Sequence, residues 1–229
     1  MAKGIGLRRS YKGRYFVASR LEGAAETIGR LDAGDEITGL TCGQFSMIDI
    51  MEHMLDEAGG PADVFVSTWT TGIYDVERAA GMGGSKIRSI RWMMDRAMFS
   101  KSPQFSGPLI ERFGLDAFRD TNVHAKVTLV ASDTKRMVCR SSMNLNKNLK
   151  TEQFDISVCD EMYEFYLTWA DALWTAAAPG LLAGPVFSAV FDDFTRLRGA
   201  LDEDEDVDAL LRAAVARYRT TTAAGSAEK

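Results

Sequence analysis

The sequence predicts one α/β domain, a sandwich around a central sheet that is finished by C-terminal helices. Three observations predict this class. Short β-rich runs alternate with segments of helical periodicity along the chain. The run Ala62–Thr68 is almost continuously apolar, as in a strand that is covered on both faces. The chain has 229 residues, 46% of them hydrophobic and 26% charged, which are values of globular proteins.

Elements of the N-terminal half follow from local patterns and turn residues. β-rich or alternating runs predict strands, and apolar residues three and four apart predict helices. Ser46 and Asp49 form a capping pair at the start of one helix, and Gly59, Gly60 and Pro61 end it. In chain order we predict a strand over 15–21, a helix over 22–31, a strand at Glu36–Thr41, a helix over 45–58, a strand at Ala62–Thr68, a helix over 74–80 and a strand over 86–94.

The C-terminal half is assigned in the same way. Gly114 stands where glycine usually follows the last helical turn. In chain order we predict a helix over 108–113, strands over 122–131, 136–143 and 154–159, and helices over 163–178, 185–201 and 207–218. We divide the chain into a basic N-terminal arm with the first strand (1–20), the main domain (21–178), C-terminal helices packed on it (179–218) and a disordered tail (219–229).

Composition excludes several classes of protein. Three cysteines without CxxC spacing and two histidines argue against a disulfide framework and against a zinc site, so we expect no metal and no cofactor. The first residues contain no apolar segment of the secretory type. Proline and glycine interrupt the uncharged stretch 172–191, so we expect no membrane partner. The prediction is a cytoplasmic protein.

The charge is unevenly distributed. The net charge is −5, but acidic residues are concentrated in 192–208, whereas 1–20 and 135–150 contain basic residues and no acid. Such basic stretches attract polyanions, which makes nucleic acid the expected partner. The basic residues of the second stretch, which we expect to bind substrate, are Lys135, Arg136, Arg140, Lys147 and Lys150.

Candidate catalytic residues lie on the two strands of a predicted hairpin. Side chains alternate along a strand, so His124 and Lys126 share one face, as do Ser142 and Asn144. If the hairpin closes around Thr134, with Lys126 opposite Ser142 and His124 opposite Asn144, all four side chains converge. A slip of one residue would separate the two pairs. Lysine can neutralise a phosphoryl group, and the imidazole can attack phosphorus.

These four residues resemble the HKD signature of the phospholipase D superfamily, His-x-Lys, four residues, Asp, six residues, Gly-Ser-x-Asn. Two positions differ, because the expected Asp is Ala131 and the expected Gly is Ser141, and the spacing is three residues longer. The resemblance implies a phospholipase D-like αβα sandwich with a central mixed sheet. It also implies metal-independent hydrolysis of phosphodiesters through a phosphohistidine, as in the small dimeric bacterial endonucleases of the superfamily.

The resemblance also implies a partner and an orienting acid. The family reaction uses two histidines, and His53 has no lysine two residues later, so we expect a homodimer that shares one site across its two-fold axis. Glu152 and Asp155 lie where the family often places an acid that hydrogen-bonds the catalytic histidine, and Glu152 is preferred.

Polar residues after the buried strand are further candidates for substrate binding, because strand ends commonly line binding crevices. They are Ser67, Thr68 and Thr70, with turn formation as the alternative. Trp69 either stacks on a base or covers the core, and core coverage is preferred.

The predicted function is that of a nuclease acting on DNA. An inert nucleic-acid-binding or scaffold protein of the same fold is the second interpretation, and hydrolysis or transfer of phospholipid head groups is the third. The segment MNLNKN is similar to proteins of phage and mobile elements, which favours a bacterial cell or a phage-infected host.

Overall fold

A computed structural model gives the fold. It describes residues 10–11, 14–18, 23–72, 75, 78–79, 81–82, 85–95, 109, 112–121, 123–146 and 149–177. The predicted C-terminal helices (179–218) and tail (219–229) lie outside these residues, as does Lys147. Most of the predicted helices over 74–80 and 108–113 also lies outside them.

The described strands form one mixed sheet of nine strands in the order β1-β2-β3-β9-β8-β7-β4-β5-β6. Neighbours β2 and β3, β4 and β5, and β5 and β6 are parallel, and the other neighbours are antiparallel. The strands are β1 (Ser10–Tyr11), β2 (Arg14–Ala18), β3 (Glu36–Thr41), β4 (Ala62–Thr68), β5 (Ile87–Asp95), β6 (Phe118–Thr121), β7 (Lys126–Ala131), β8 (Arg136–Ser141) and β9 (Glu152–Val158). The predicted α/β class with a central mixed sheet is confirmed.

Helices cover both faces of this sheet. They are α1 (Ala24–Ile28), α2 (Met47–Glu57) and α3 (Asp160–Ala176), with a 3-10 turn at Leu115–Ala117. Side chains alternate between the faces, so that Val64 and Val66 of β4 join the cluster under α1 and α2, whereas Phe65 joins the cluster under α3. We call these the first face and the second face of the sheet.

Several boundaries agree with the pattern of the sequence. Strands β3 and β4 have the predicted bounds at both ends. The helix predicted over 45–58 is α2, and its capping box is formed by Ser46 and Asp49, with the Ser46 amide donating to Asp49 Oδ2 at 2.8 Å. The sequence did not predict β6, because its four residues, Phe-Arg-Asp-Thr, are too few to show a period.

The register of the hairpin between β7 and β8 differs from the predicted one. Lys126 lies opposite Ser141, whereas the prediction placed it opposite Ser142. The turn has four residues, because the backbone amide of Ser132 donates to the carbonyl of Lys135 at 2.9 Å. The Ser132 hydroxyl fixes this turn further by donating to the Ala58 carbonyl at 2.6 Å. The prediction of an odd loop centred on Thr134 was therefore wrong by one residue.

We predict that Gly39→Ala destabilises the sheet. A Cβ at Gly39 would lie 2.1 Å from the ring of Phe154, which is fully buried on the adjacent strand β9. Overpacking of this kind typically costs about 1–3 kcal/mol of unfolding free energy, which urea denaturation would measure. Gly60→Ala is the matched control, because nothing lies within 4 Å of the added Cβ. Equal stability of the two variants would contradict this packing.

Candidate active site

The candidate site lies at one end of the sheet strands. Parallel strands β4, β5 and β6 end there, and the antiparallel strand β7 begins there. Strand β8 ends at the same place and β9 begins there. Ligand sites of α/β proteins commonly lie outside the carboxyl ends of parallel strands. This arrangement brings distant parts of the chain to one rim, and it places His124 and Lys126 at the start of β7.

His124 and Lys126 form the central contact of the site. His124 is exposed just before β7, and Lys126 is the first residue of that strand. The ammonium nitrogen Nζ of Lys126 lies 2.8 Å from Nδ1 and 3.3 Å from Nε2 of the His124 ring. An ammonium can only donate, so this contact requires an unprotonated ring nitrogen facing the lysine. The exposed side of the imidazole is open to solvent.

Lys126 is a buried cation. It is 8% exposed and lies on the first face of the sheet, in line with Thr128 and Val130. Burial lowers the pKa of its ammonium below the usual lysine value, and the negative charge of Glu152 partly opposes that change. The lysine is therefore held as a largely buried positive charge beside the imidazole.

Ser142 and Glu152 form a second contact, which stands next to the first. The Ser142 hydroxyl donates to Glu152 Oε2 at 2.5 Å and accepts the backbone amide hydrogen of Gln153 at 2.9 Å. Both functions of this hydroxyl are thus used within the chain. Ser142 positions Glu152, and Glu152 in turn acts on Lys126 through its charge.

Glu152 does not contact His124 as the resemblance implied. Among the described residues, no carboxylate lies within hydrogen-bonding distance of the His124 ring. Glu152 begins β9, two strands away from β7, which is about 10 Å across the sheet. Asp155, the second candidate, faces the other side of the sheet from Phe154 and accepts a hydrogen bond from Thr38 at 2.6 Å. The orienting role predicted for either acid within one chain was wrong.

Asn144 lies in the segment after β8 and is half-buried. Its Oδ1 atom is buried and has no hydrogen-bond partner in the described part of the chain. The structure does not bring its carboxamide into contact with His124 or Lys126. An unpaired buried amide oxygen costs free energy, so the carboxamide is a group that a ligand could still use.

Ser67 and Thr68 hold the two loops of the site in place. Both are buried at the end of β4. The Ser67 hydroxyl donates to the Ala125 carbonyl at 2.9 Å, which fixes the segment carrying His124. Thr68 Oγ1 accepts the backbone amide hydrogen of Leu145 at 3.3 Å, which fixes the segment carrying Asn144. Both hydroxyls are thus bonded within the chain, and their predicted contact with substrate stays a prediction.

Thr70 and Trp69 complete the turn after β4. Thr70 is half-buried, and its carbonyl accepts a hydrogen bond from Thr68 at 2.9 Å. Trp69 is 44% exposed, so it does not cover the core, and the preferred prediction for it was wrong. Its ring centroid lies 5.4 Å from that of His124, with the ring planes tilted by 42°. No motif places Trp69 in the site, because its position depends on where β4 ends.

The basic stretch 135–150 does not gather around His124. Lys135 and Arg136 lie at the turn of the hairpin, and β8 runs about 17 Å from there to Ser141. Lys135 donates to the carbonyl of Leu31 at 2.7 Å, and Arg136 pairs with Glu164 at 3.0 Å. Both cations therefore have partners within the chain and lie at the opposite end of β8 from His124, and their predicted substrate contacts stay predictions.

The remaining basic residues divide between the two sides of the molecule. Arg140 projects from the second face of β8 and donates to Ser157 Oγ at 3.1 Å. Lys150 is exposed in the segment that leads into β9, at the same end of the sheet as His124. Of the described members of the stretch, Lys150 is the exposed cation at that end of the sheet.

Comparisons with known proteins add no relative to this picture. No protein-family model matches the chain, and no curated protein matches it.

Within the described residues, no three His, Cys, Asp or Glu side chains gather closely enough to hold a metal ion. None of the helices in that part of the chain is both long enough and apolar enough to cross a bilayer.

We predict that Lys126→Met raises thermal stability near neutral pH and that this gain shrinks in alkali. Burial lowers the pKa of Lys126 below the ordinary 10.5, so the folded protein binds fewer protons than the unfolded chain between the two values. Wild-type stability therefore rises with pH through that window, whereas Met contributes no such change. Melting curves of both proteins from about pH 7 to about pH 10 would measure the difference.

The control for this series is Lys86→Met, which removes an exposed lysine paired with Asp56. It measures how the thermal stability changes at each pH when the protein loses one exposed positive charge. A stability gain of Lys126→Met that widened with pH, after subtraction of this control, would contradict the cost assigned to the buried ammonium.

Proposed function

We propose that the protein is a metal-independent phosphodiesterase of the phospholipase D type, a nuclease that acts on DNA through a phosphohistidine. The observation that carries the proposal is the contact of a buried ammonium, Lys126, with an exposed imidazole, His124, at 2.8 Å. An imidazole that is exposed to solvent stands beside a positive charge, and attack on an anionic phosphodiester requires both groups. Helices on both faces of the mixed sheet agree with the αβα sandwich of that superfamily.

The first chemical step transfers the phosphoryl group to the protein. The unprotonated ring nitrogen of His124 leaves its hydrogen bond with Lys126 and attacks phosphorus. The bond from phosphorus to the leaving oxygen breaks, and that oxygen takes a proton from the imidazolium of a second chain. Lys126 stabilises the charge that develops on the non-bridging oxygens. In the second step water attacks phosphorus, the phosphorus–nitrogen bond breaks, and the proton of the water passes to the imidazole of the second chain, which leaves a phosphomonoester and the free His124 ring.

The proton donor for the leaving oxygen comes from a second copy of the chain in this proposal. The other histidine, His53, is buried on α2, and its Nε2 lies 2.7 Å from the carbonyl oxygen of Gly29. It is therefore a structural histidine. A two-fold axis near His124 would bring two identical imidazoles together, one as nucleophile and one as acid and base.

A polymer is the favoured substrate because the reacting group is exposed at the rim of the sheet. His124 is open to solvent, and Lys150 stands at the same end with a positive charge for a phosphate backbone. The second candidate function is nucleic-acid binding without turnover. It is favoured by one observation, that Asn144 and a carboxylate do not contact His124 within one chain. We propose DNA hydrolysis over binding alone because an exposed imidazole is in contact with a buried ammonium.

We predict that His124→Asn lowers phosphodiester hydrolysis by at least about 10³-fold, because it removes the nucleophile. The measurement is release of p-nitrophenol from bis-p-nitrophenyl phosphate, together with nicking of a plasmid, both in EDTA. Asparagine keeps a polar side chain of similar reach, so the fold is expected to persist.

The control for this variant is His53→Gln, which replaces the buried histidine with a side chain that can still donate to Gly29. It should retain activity and a normal melting curve. Plasmid binding by wild type with no EDTA-resistant cleavage would instead support the second candidate. Cleavage that survived His124→Asn would show that another group reacts.

We also predict that mixtures of wild type and His124→Asn lose activity with the square of the wild-type fraction. A site that needs one imidazole from each of two chains is inactive in every mixed dimer. The measurement is hydrolysis after subunit exchange at a fixed total concentration, with buffer in place of the variant as the control. A linear decline would mean that each chain acts alone.

A further inference from the structure

Trp69 is the residue at the site that the proposed chemistry does not use. Its side chain is 44% exposed, although tryptophan is on average a largely buried residue. Its ring centroid lies 5.4 Å from that of His124. An exposed aromatic plane therefore stands directly beside the proposed nucleophile.

The backbone around Trp69 is anchored on both sides. Thr68, which precedes it, donates to the carbonyl of Thr70 and accepts the amide hydrogen of Leu145. Thr71, which follows the turn, forms a parallel bridge with Leu145. An aromatic side chain on an anchored turn loses little conformational freedom when it binds a ligand, which favours its use as a binding surface.

We propose that Trp69 stacks on an unpaired nucleobase next to the scissile phosphodiester, so that the substrate is single-stranded nucleic acid. This inference rests on the proposed function and specifies its substrate. Aromatic side chains bind single strands by stacking because every base has a π-face, whereas neighbouring base pairs cover those faces in a duplex. A base is joined to its phosphate through one sugar. A phosphate at His124 therefore places its own base within reach of the adjacent indole.

A quaternary ammonium is the other group that an exposed indole recognises, and it would indicate a phospholipid head group. Such cations are usually enclosed by several aromatic rings. Among the described residues, the one ring that Trp69 contacts is His124. The Lys126 ammonium, which touches that same imidazole, repels a second cation. A flat and neutral base fits this surface better.

The first experiment compares two esters with the same leaving group, thymidine 5′-(p-nitrophenyl phosphate) and methyl p-nitrophenyl phosphate, in EDTA. Wild type should show the higher kcat/KM on the thymidine ester. Trp69→Ala should reduce that preference by about 5- to 100-fold, the range of one base stack, and Trp69→Phe should retain part of it. Leu40→Ala is the control, since Leu40 is similarly exposed on the second face of β3 and should leave the preference unchanged.

Three outcomes of that experiment would overturn the stacking role. An equal loss of both activities in Trp69→Ala would mean that the indole only positions His124. If Trp69→Ala left the preference for thymidine intact, the stacking role would be contradicted, whereas the proposed phosphodiesterase activity would not. A stronger preference for p-nitrophenylphosphorylcholine, abolished by Trp69→Ala, would assign the indole to a lipid head group.

Binding measurements separate this inference from the proposed function. Fluorescence anisotropy of labelled oligo(dT), of an abasic strand of the same length and of a duplex compares ligands that share the same phosphates. Trp69→Ala should raise the Kd for oligo(dT) by about 5- to 100-fold and change the duplex Kd far less. If wild type hydrolyses neither ester, but Trp69→Ala raises the Kd for oligo(dT) in this way, the proposed hydrolysis is wrong and the stacking role is supported. Equal wild-type affinity for oligo(dT) and the abasic strand would overturn stacking, whether or not the protein turns over.

Discussion

The buried ammonium of Lys126 is the constraint on which the rest of the site depends. A buried charge is costly unless neighbouring groups pair with it, so its surroundings have to be built to accept it. Glu152 supplies the opposite charge, Ser142 fixes Glu152, and the ring of His124 takes a hydrogen bond from the ammonium. The same contacts that make the lysine tolerable set the position of the imidazole. Burial of the ammonium is unfavourable by itself, but the contacts that offset it also fix the position of the His124 ring.

Strand β4 fixes the two loops that carry His124 and Asn144. Its last two residues, Ser67 and Thr68, point into the interior and bond the segments that carry His124 and Asn144. A substrate that met these hydroxyls would have to displace both loops. The buried end of β4 therefore joins the two loops. Trp69, the next residue along the chain, is the first exposed side chain after that end.

Local features of the sequence predicted the fold well, and features that depend on tertiary competition were not predictable. The bounds of β3 and β4 follow from a short-range pattern, and the pairing of His124 with Lys126 follows from their separation of two residues. The position of Glu152 does not follow from a local pattern, because its carboxylate accepts a hydrogen bond from the Ser142 hydroxyl instead of from His124. Exposure of Trp69 was equally hidden, since a strand pattern does not show what covers the residue after its end.

The fold shows where the two residues lie that differ from the HKD pattern. Ala131, where the HKD pattern has Asp, ends β7 about 17 Å from Lys126, so its side chain lies outside the site. Ser141, which replaces the expected Gly, donates to the carbonyl of Gln153 at 2.6 Å and accepts the amide hydrogen of Met143 at 2.9 Å. Those two bonds bend the chain directly after β8. The bend lets the next residue, Ser142, reach the acid that faces Lys126, although the hairpin register is shifted by one residue.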